Sequence, residues 1–370
     1  MMNPMKSIVT CCLLLLSLTF SFAQSKPLKV GVIGLTHTHV HWIFGSESRG
    51  DIEIVGIVET NKDLAQRYAE QHGFSMDLVF DSMDELIIKK KPEAVTAFGT
   101  IYEHLEVVET CAPKGIHVMV EKPLAVSLEH AKKMEALAKK HQIHLLTNYE
   151  TTWYPTNHKA YELVKEQGTI GDIRKIVVRD GHKGPKKIGI NSEFFDWLTD
   201  PVQNGGGAVV DFGCYGANLL TWLMDGQRPN KVTAITTQLQ AENNPKVDDE
   251  SIILLEYDNS VAIIQGSWNW PIGRKDMEIY GLTGVVYADN RHDLRVRISE
   301  GYDGFEEEKY KLEERSAPYD DPFSYFAALI RGDIEPKPND LSSLENNIIV
   351  MEILDAAIQS ANSGKSIKLN

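Results

Sequence analysis

The first half of the chain alternates short apolar runs, rich in β-branched residues, with longer segments whose apolar residues recur at helical spacing. The runs cover residues 29–33, 52–58, 93–98, 116–120 and 143–146. Helix start signals follow at Asn61, Ser82 and Ser127. Strands separated by helices in this way are typical of right-handed βαβ crossovers. The pattern therefore predicts an α/β fold that begins with a Rossmann domain, a doubly wound parallel sheet covered on both faces.

The pattern changes after residue 150, where strands are predicted to follow one another with turn signals between them. Predicted strands cover residues 173–178, 230–237, 251–257, 261–266 and 277–280, and predicted helices begin near Gly213, Pro322 and Ser343. Such a series favours an open, largely antiparallel sheet with one exposed face. We therefore divide the chain into a Rossmann domain (24–148), a second α/β domain for substrate and oligomerisation (149–345), and a C-terminal helix and tail (346–370).

The N-terminal segment 1–23 is typical of a secretory signal peptide. Lys6 precedes an apolar stretch, and Ser21 and Ala23 are the small residues that signal peptidase reads, which predicts cleavage before Gln24. The absence of an Arg-Arg pair favours the Sec route, so we expect a periplasmic or extracellular protein. The stretch is short for a membrane span, although an uncleaved anchor is the alternative. Only two cysteines follow it, so the stability of the mature chain depends on a packed core.

The composition excludes some classes of partner. The net charge is -14, and Lys or Arg cluster only at 89–91 and 183–187. A protein that binds nucleic acid or an anionic membrane needs a basic face, so neither partner is expected. Apolar residues make up 42% of the chain, enough for a sizeable core. The exposed face of an open sheet often pairs with a second copy, so we expect a homo-oligomer.

The turn after the first predicted strand is where a Rossmann domain binds dinucleotide phosphates. The expected G-x-G-x-x-G is present only as Gly34-Leu35-Thr36-His37-Thr38-His39, with one of its three glycines. The helix N-terminus and the side chains of Thr36, His37 and Thr38 can still bind an anion. Glu59 ends the second strand, where a carboxylate accepts a hydrogen bond from the adenosine ribose. It repels a 2'-phosphate and so favours NAD over NADP; an ordinary acid at a strand end is the alternative.

The run His37-x-His39-x-His41 also matches the start of a metal-dependent hydrolase site. A catalytic metal needs a further ligand, and the other histidines form no clear second cluster. The strand pattern does not make an eightfold barrel either. We therefore predict no metal and interpret these histidines as surface or phosphate-loop residues.

Two motifs carry the chemistry. Glu121-Lys122-Pro123 follows the predicted strand at 116–120, and residues at such strand ends face the ligand crevice. The glycine-rich segment from Gly205 ends in Asp211 and Tyr215, which share one face of a helix that begins here. A nearby lysine cation stabilises a phenolate, which brings tyrosine closer to acting as a base. The alternative for Glu121 and Lys122 is an ion pair on the surface. The alternative for the other motif is that Tyr215 packs in the core and Asp211 caps the helix.

Together these motifs resemble the Gfo/Idh/MocA family of nicotinamide-dependent oxidoreductases, which act mostly on sugars and polyols. The resemblance implies that Lys122 is catalytic and that Asp211 and Tyr215 are further site residues. Tyr215 stands where the family has histidine, as in the glucose–fructose oxidoreductase and dihydrodiol dehydrogenase branch, where tyrosine is the acid–base group. His104 matches the histidine that closes the family's Pro-Asn-x-x-His turn, although Thr100 and Ile101 replace Pro and Asn.

The resemblance implies a mechanism in which Tyr215 takes a sugar hydroxyl proton while hydride passes to NAD. The pyrophosphate is expected at residues 34–38 and the ribose at Glu59. The nicotinamide is expected near Glu121 and Asn148, with Thr100 and His104 as further cofactor contacts. Trp153, His182 and Trp197 are candidate substrate contacts, with core packing as the alternative for the tryptophans.

Export leaves two other functions open, because free NAD is expected to be scarce outside the cytoplasm. One is a redox-neutral NAD-dependent glycoside hydrolase, which regenerates its cofactor in each cycle. The other is an exported carbohydrate-binding protein that kept the fold and lost the cofactor. The retention of Lys122, Asp211 and Tyr215 argues against the second.

Overall fold

The structure, a computed structural model, describes residues 26–337 and 339–369. The predicted signal segment 1–23 lies outside these residues and stays a prediction. Within the described residues, no helix has the length and apolar content needed to cross a bilayer.

The first half of the described chain folds as a six-stranded parallel sheet with helices on both faces. Strands and helices alternate as β1 Leu28–Ile33, α1 Val40–Ser46, β2 Ile52–Val58, α2 Lys62–His72, β3 Val79–Phe80, α3 Met83–Lys90, β4 Ala94–Ala97, α4 His104–Cys111, β5 His117–Glu121, α5 Leu128–His141 and β6 Leu145–Asn148. The strand order β3-β2-β1-β4-β5-β6 is that of a doubly wound fold, as predicted. The two-residue β3 was not predicted, since so short a strand has no apolar periodicity of its own.

Local capping explains why the helices begin where the sequence indicates. The side chains of Asn61, Ser82 and Ser127 accept hydrogen bonds from backbone N–H groups in the first turns of α2, α3 and α5. Each cap satisfies a donor that the helix leaves without an intrahelical partner. The caps therefore fix the points at which the chain turns back towards the next strand.

The second half contains a nine-stranded sheet of order β14-β13-β12-β11-β7-β10-β9-β8-β15. Its elements are α6 Pro155–Tyr161, β7 Lys175–Gly181, α7 Pro185–Ile188, α8 Ser192–Leu198, α9 Ala208–Asp211, α10 Gly213–Leu223, β8 Lys231–Thr237, β9 Glu250–Glu256, β10 Val261–Ser267, β11 Arg274–Tyr280, β12 Gly284–Ala288, β13 Asp293–Glu300, β14 Gly304–Lys311, α11 Pro322–Arg331, α12 Leu344–Ser363 and β15 Ile367–Lys368. Among the described strands of this sheet, only β7 and β10 pair in parallel, which confirms the largely antiparallel sheet. The strands β12 to β14 were not predicted, and β14 is mostly exposed, so it lacks an apolar face.

Two helices near the C-terminus of the chain, α11 and α12, pack across the molecule. The helix α12 packs against α5, α10 and β8, and α11 packs against α1 and β2. Phe323 and Phe326 of α11 lie in the same buried cluster as Val30 and Val32 of β1. The range 149–345 thus contributes one helix to the core of the first domain.

The nine-stranded sheet has one covered face and one open face. The helix α10 lies on β7 and β10 and covers the first face. On the other face, Ile235, Ile252, Leu254 and Val261 are exposed. These side chains form the apolar surface expected of an oligomer contact, and the homo-oligomer stays a prediction.

Candidate active site

A buried ion pair joins the two halves of the chain. Lys122 directly follows β5, and its Nζ forms a salt bridge with Oδ1 of Asp211, the last residue of α9. The same Nζ donates to the Asp211 carbonyl oxygen at 3.1 Å. Burial lowers the pKa of Lys122, but the Asp211 carboxylate outweighs this and the net pKa is raised. Lys122 therefore carries a fixed positive charge in the cleft.

Tyr215 lies beside this pair and is 1% exposed. The Lys122 Nζ lies 5.1 Å from the centroid of the Tyr215 ring. The sequence predicts that this cation stabilises the phenolate, so that Tyr215 can act as a base near neutral pH. That expectation is wrong, because the pKa of Tyr215 is raised. Burial raises the pKa of Tyr215 well above its usual value, and the carboxylates of Glu150 and Asp180 raise it further. Tyr215 is consequently a neutral phenol here.

A second lysine, which the sequence analysis missed, is closer to Tyr215. The Lys275 Nζ lies 4.1 Å from the ring centroid, 2.7 Å from Glu150 Oε2 and 3.9 Å from Asp180 Oδ1. Lys275 stands between Arg274 and Asp276 in the sequence, a charged run that is typical of a solvated strand. Only its pairing with β7 brings it opposite Asp180 and towards the site.

Trp268 supports Asp211 from the second sheet. Its indole Nε1 donates to Asp211 Oδ2 at 2.9 Å, so both carboxylate oxygens have partners. Trp268 is fully buried just beyond β10. Burial raises the pKa of Asp211, but Lys122 and these hydrogen bonds lower it, and the net shift is downward. Asp211 is thus an ionised group that fixes the Lys122 ammonium.

Glu121 is the centre of a second polar network at the end of β5. Its Oε2 lies 2.8 Å from His39 Nδ1, and its Oε1 accepts from Asn148 Nδ2 at 2.8 Å. The Asn148 Oδ1 in turn accepts from Trp153 Nε1 at 3.0 Å. Burial opposes ionisation of Glu121, but His39 and Asn148 favour it and lower its pKa to about 2. Glu121 is therefore an anion held by two residues of the first domain, His39 before α1 and Asn148 at the end of β6.

The predicted role of Trp153 as a substrate contact is not what its surroundings indicate. Its indole N–H donates a hydrogen bond to Asn148 Oδ1, and its ring packs edge-on against Tyr325 of α11, with 5.6 Å between the ring centroids. Trp153 is 4% exposed. It therefore positions Asn148, and core packing, the alternative reading, describes it better.

The loop from Gly34 to His39 retains the features of a phosphate-binding turn. Gly34 has φ of 77° and packs against the backbone of Gly99, leaving no space for a Cβ. In the described part of the chain, the N–H groups of Thr36 and Thr38 have no acceptor. Two such donors beside a strand end suit an anion.

Glu59, just after β2, is hydrogen-bonded to the backbone of this loop. Its Oε2 accepts from Leu35 N at 3.0 Å and its Oε1 accepts from Asn61 N at 2.8 Å. Burial raises the pKa of Glu59, although the backbone hydrogen bonds lower it in part. The carboxylate lies on the wall of a cavity of about 410 Å³ at the ends of β1, β2 and β4. It thus both braces the loop and faces the cleft.

Thr100 and His104 border the same cavity. The Thr100 side chain caps the following turn in a reciprocal arrangement with Glu103. His104 is fully buried, and its Nδ1 donates to the Leu124 carbonyl oxygen at 3.1 Å. Burial lowers the pKa of His104 to about 4, so it is neutral near pH 7.

Trp197 and His182 occupy different ends of the cleft. The Trp197 indole donates to Thr36 Oγ1 at 3.0 Å, and its ring lies 5.8 Å from that of His37. Trp197 therefore covers the phosphate loop and is not placed as a substrate contact. His182 lies edge-on to Phe212 at 4.9 Å; burial lowers the pKa of His182, and the nearby Asp211 carboxylate raises it in part. His182 is thus the predicted substrate contact that the structure brings to the ion pair.

Family models match both halves of the chain. The model described as "Oxidoreductase family, NAD-binding Rossmann fold" matches residues 28–149, and the "GFO/IDH/MocA C-terminal domain" matches residues 158–287. The chain belongs to the Gfo/Idh/MocA family. The Rossmann assignment and the family resemblance predicted from the sequence are both confirmed.

Similar proteins include a trans-1,2-dihydrobenzene-1,2-diol dehydrogenase from Xenopus tropicalis. It is 24% identical over 320 residues, which cover 84% of this chain and 90% of that protein. The inositol dehydrogenase homolog from Azotobacter vinelandii, solved with NAD+, superimposes with a TM-score of 0.79 at 17% identity, covering 93% of this chain and 98% of that one. An aldose-aldose oxidoreductase from Caulobacter crescentus, solved with glycerol, gives a TM-score of 0.76 at 20% identity, covering 93% and 100%. At these identities the structures establish a shared fold.

In this member of the Gfo/Idh/MocA family, the histidine run forms a cluster with Glu121. Ligand atoms of His37, His39 and Glu121 lie within 4.8 Å of one another, a set that can hold a metal ion. Hydrogen bonds among these three residues also explain why they lie close together. The His37 Nδ1 accepts from His39 N at 3.1 Å, so neutral His37 carries its proton on Nε2. Burial lowers the pKa of His37 well below its usual value, which keeps it a neutral donor.

Proposed function

We propose that the protein is an exported NAD-dependent oxidoreductase that oxidises a hydroxyl group of a sugar, polyol or glycoside. One observation carries the proposal: Lys122 from the first domain meets Asp211 and Tyr215 from the second, next to the strand ends of a dinucleotide fold. A fixed cation, an ionised partner and a phenol are the groups that alcohol oxidation requires at the reacting oxygen.

The residues at the strand ends fit a dinucleotide. The free N–H groups of Thr36 and Thr38 and the Nε2 donor of His37 suit the pyrophosphate oxygens. The Glu59 carboxylate on the cavity wall suits the adenosine ribose and disfavours a 2'-phosphate, which supports NAD over NADP. NAD supplies a hydride acceptor when it is bound. Glu121 and Asn148 form the polar wall beside the expected nicotinamide position.

The reacting oxygen is expected to lie between Lys122 and Tyr215. The Lys122 ammonium polarises that oxygen and stabilises negative charge on it, and the Asp211 carboxylate keeps the ammonium in place. Tyr215 exchanges the hydroxyl proton as the C–H bond breaks. His182, near Asp211, is a candidate to bind another hydroxyl of the substrate.

The similar proteins support this substrate class. Their names describe a diol dehydrogenase, an inositol dehydrogenase homolog and an aldose-aldose oxidoreductase. All three names refer to small polyhydroxylated compounds. A carbohydrate or polyol substrate for this chain is consistent with them and with the aromatic and polar lining of the cleft.

The test is to purify the mature protein and record its ultraviolet spectrum for nicotinamide before and after adding a panel of sugars, polyols and glycosides. We expect reduced nicotinamide absorbance to appear with at least one member. A protein that releases no nucleotide on gentle denaturation and binds no NAD by calorimetry would contradict the proposal. That result would favour the carbohydrate-binding protein.

A redox-neutral glycoside hydrolase is the second candidate, favoured by the enclosure of the site. Four residues, each at most 6% exposed when backbone and side chain are counted together, line the site, namely Glu121, Lys122, Asp211 and Tyr215, and Trp197 covers the phosphate loop. A cofactor held behind these groups is better suited to regeneration in place than to exchange with a dilute pool. With chromogenic glycosides, this candidate predicts release of the aglycone without net formation of NADH.

The proposed location and assembly have separate tests. Mass spectrometry of the exported protein is expected to show an N-terminus at Gln24. Sedimentation analysis is expected to show a homo-oligomer that dissociates when Ile252 and Leu254 on the open sheet face are both replaced by glutamate.

A further inference from the structure

Three carboxylates surround Tyr215, and one of them has an unusual position. Asp180 on β7 is 2% exposed, and its Oδ1 has no hydrogen-bond partner among the described residues. A buried oxygen without a partner is costly, so its presence needs a reason. Asp180 lies on the covered face of the sheet, where β7 packs against α10, the helix that carries Tyr215.

Lys275 connects this carboxylate to Tyr215. Asp180 and Lys275 are directly opposite each other in the β7–β11 ladder, and Lys275 Nζ lies 3.9 Å from Asp180 Oδ1. The same Nζ lies 4.1 Å from the centroid of the Tyr215 ring. Asp180, Lys275 and Tyr215 therefore form one cluster in the site.

The other two carboxylates are committed to partners. Glu150 Oε2 pairs with Lys275 at 2.7 Å, and its Oε1 accepts from the Tyr154 hydroxyl at 2.6 Å. Burial opposes its ionisation, but these partners lower the pKa of Glu150 to about 2. Asp211 is paired with Lys122 and with Trp268. Neither is a good proton acceptor near neutral pH.

We propose that Asp180 accepts the phenol proton of Tyr215 through an intervening water molecule as Tyr215 takes up the hydroxyl proton of the substrate, and that Lys275 holds the two groups in place. The inference rests on the proposed function. The substrate C–H bond loses its hydride to the dinucleotide, and the O–H bond loses its proton to the Tyr215 oxygen. The proton that leaves Tyr215 forms the O–H bond of the Asp180 carboxylic acid, so atoms and charge balance.

The relay resolves the difficulty that a neutral phenol cannot act as a base unless it passes its own proton on. Burial raises the pKa of Asp180 well above its usual value, Lys275 lowers it and Glu150 raises it. A carboxylate with a raised pKa is a stronger base than an ordinary one. The charged and titratable groups that act on Asp180 from neighbouring elements are Lys275, Glu150, Lys122 and Asp211, together with Tyr154, Cys214 and Tyr215.

A small cavity adjoins Asp180 and Lys275. It has a volume of about 10 Å³ and is lined by Asp180, Lys275 and Thr151, among others. The Thr151 Oγ1, like Asp180 Oδ1, is buried without a partner in the described part of the chain. A space of this size accommodates about one water molecule between two polar groups.

The test compares Asp180→Asn with Asp276→Asn by infrared titration of the full mature protein. Asp276 is a matched control, since it is a mostly buried aspartate on the adjacent strand whose partners are Arg179 and Arg274. Burial also raises the pKa of Asp248, Asp340 and Glu59, so the measurement is the difference in the carboxylic acid band between variants. We expect a component that disappears on alkaline titration to be present in wild type and in Asp276→Asn and lost in Asp180→Asn. Equal bands in wild type and Asp180→Asn would overturn the proposal without any reference to turnover.

Kinetics provide the second measurement. Asp180→Asn is expected to lower kcat by about 10²-fold and to abolish the fall in rate at acid pH, with little change in NAD affinity. Lys275→Met is expected to lower kcat, with partial rescue by Lys275→Arg. An unchanged pH profile in Asp180→Asn would overturn the relay. If wild-type protein oxidises no compound in the panel, the proposed function fails, while the infrared titration still decides whether Asp180 holds the proton.

Discussion

Lys122 and Asp211 form a salt bridge with both side chains only 7% exposed, across the junction of the two domains. Removing one partner of a buried pair leaves the other charge without compensation, which costs about 3–5 kcal/mol. The pair thus couples the chemistry of the cleft to the way the domains meet. A variant of either residue will therefore lose stability as well as activity.

Tyr215→Phe separates chemistry from stability, because it removes the hydroxyl and keeps the ring. We expect turnover to fall by roughly 10²- to 10⁴-fold, since proton transfer at the reacting oxygen is lost. Lys122→Met is expected to lose as much turnover and to unfold more readily. Single-turnover absorbance of nicotinamide measures the first effect, and thermal unfolding measures the second.

Tyr257→Phe is the matched control for Tyr215→Phe. Tyr257 is also buried, and its hydroxyl has no partner among the described residues, but it follows β9, away from the ion pair. Its loss should leave turnover within about twofold of wild type. Equal turnover in wild type and Tyr215→Phe would rule out the phenol as the acid–base group.

Glu59→Gln tests the choice between NAD and NADP. The amide removes the negative charge that repels a 2'-phosphate, so the preference for NAD is expected to fall by about tenfold or more. The measurement is the ratio of the two dissociation constants from fluorescence titration. Glu53→Gln, an exposed change on the same strand, is the control and should keep the wild-type ratio.

Trp197→Phe tests whether the indole covers the cofactor. The change removes one hydrogen bond, from the indole N–H to Thr36 Oγ1, and keeps an aromatic ring against His37. A net loss of about 1 kcal/mol corresponds to a roughly fivefold faster release of NAD. Stopped-flow release of the dinucleotide measures this, with Trp222→Phe, which stacks on Tyr161, as the control. Identical release rates would place Trp197 outside the cofactor contact.

His104 predicts a loss of stability in acid. Burial lowers its pKa from 6.5 to about 4, so the unfolded chain binds this proton more tightly than the folded one. The free energy of unfolding therefore falls as the pH drops from 6.5 towards 4, by up to roughly 3 kcal/mol for this group. Urea unfolding across this range measures the loss.

His104→Gln should make that pH dependence shallower, because it removes one of the buried histidines whose pKa is lowered, while His117 and His158 remain. His141→Gln, at the end of α5, is the control and should keep the wild-type slope. An unchanged slope in His104→Gln would assign the acid sensitivity to other groups.

The sequence by itself determined the fold class and the family resemblance, and it predicted the candidate site. Apolar periodicity and capping residues predict five of the six parallel strands, because these signals are local in the chain. The position after a strand end predicts Lys122 as a site residue. The single helix expected to carry Asp211 and Tyr215 is interrupted at Phe212, between α9 and α10, and both residues still lie beside Lys122. Strands without an apolar face, such as β14, and the two-residue β3 carry no such signal and were missed.

Only the tertiary structure decided how the site is charged. Lys275 meets Asp180 and Tyr215 through the pairing of β7 with β11, a contact between residues far apart in the sequence. The direction of the pKa shift of Tyr215 depends on burial, which exceeds the effect of a nearby cation. The role of Trp153 likewise depends on the packing of α11 against the first domain. Local pattern specifies which elements form, whereas distance and desolvation, which set proton affinity, arise only when the elements pack.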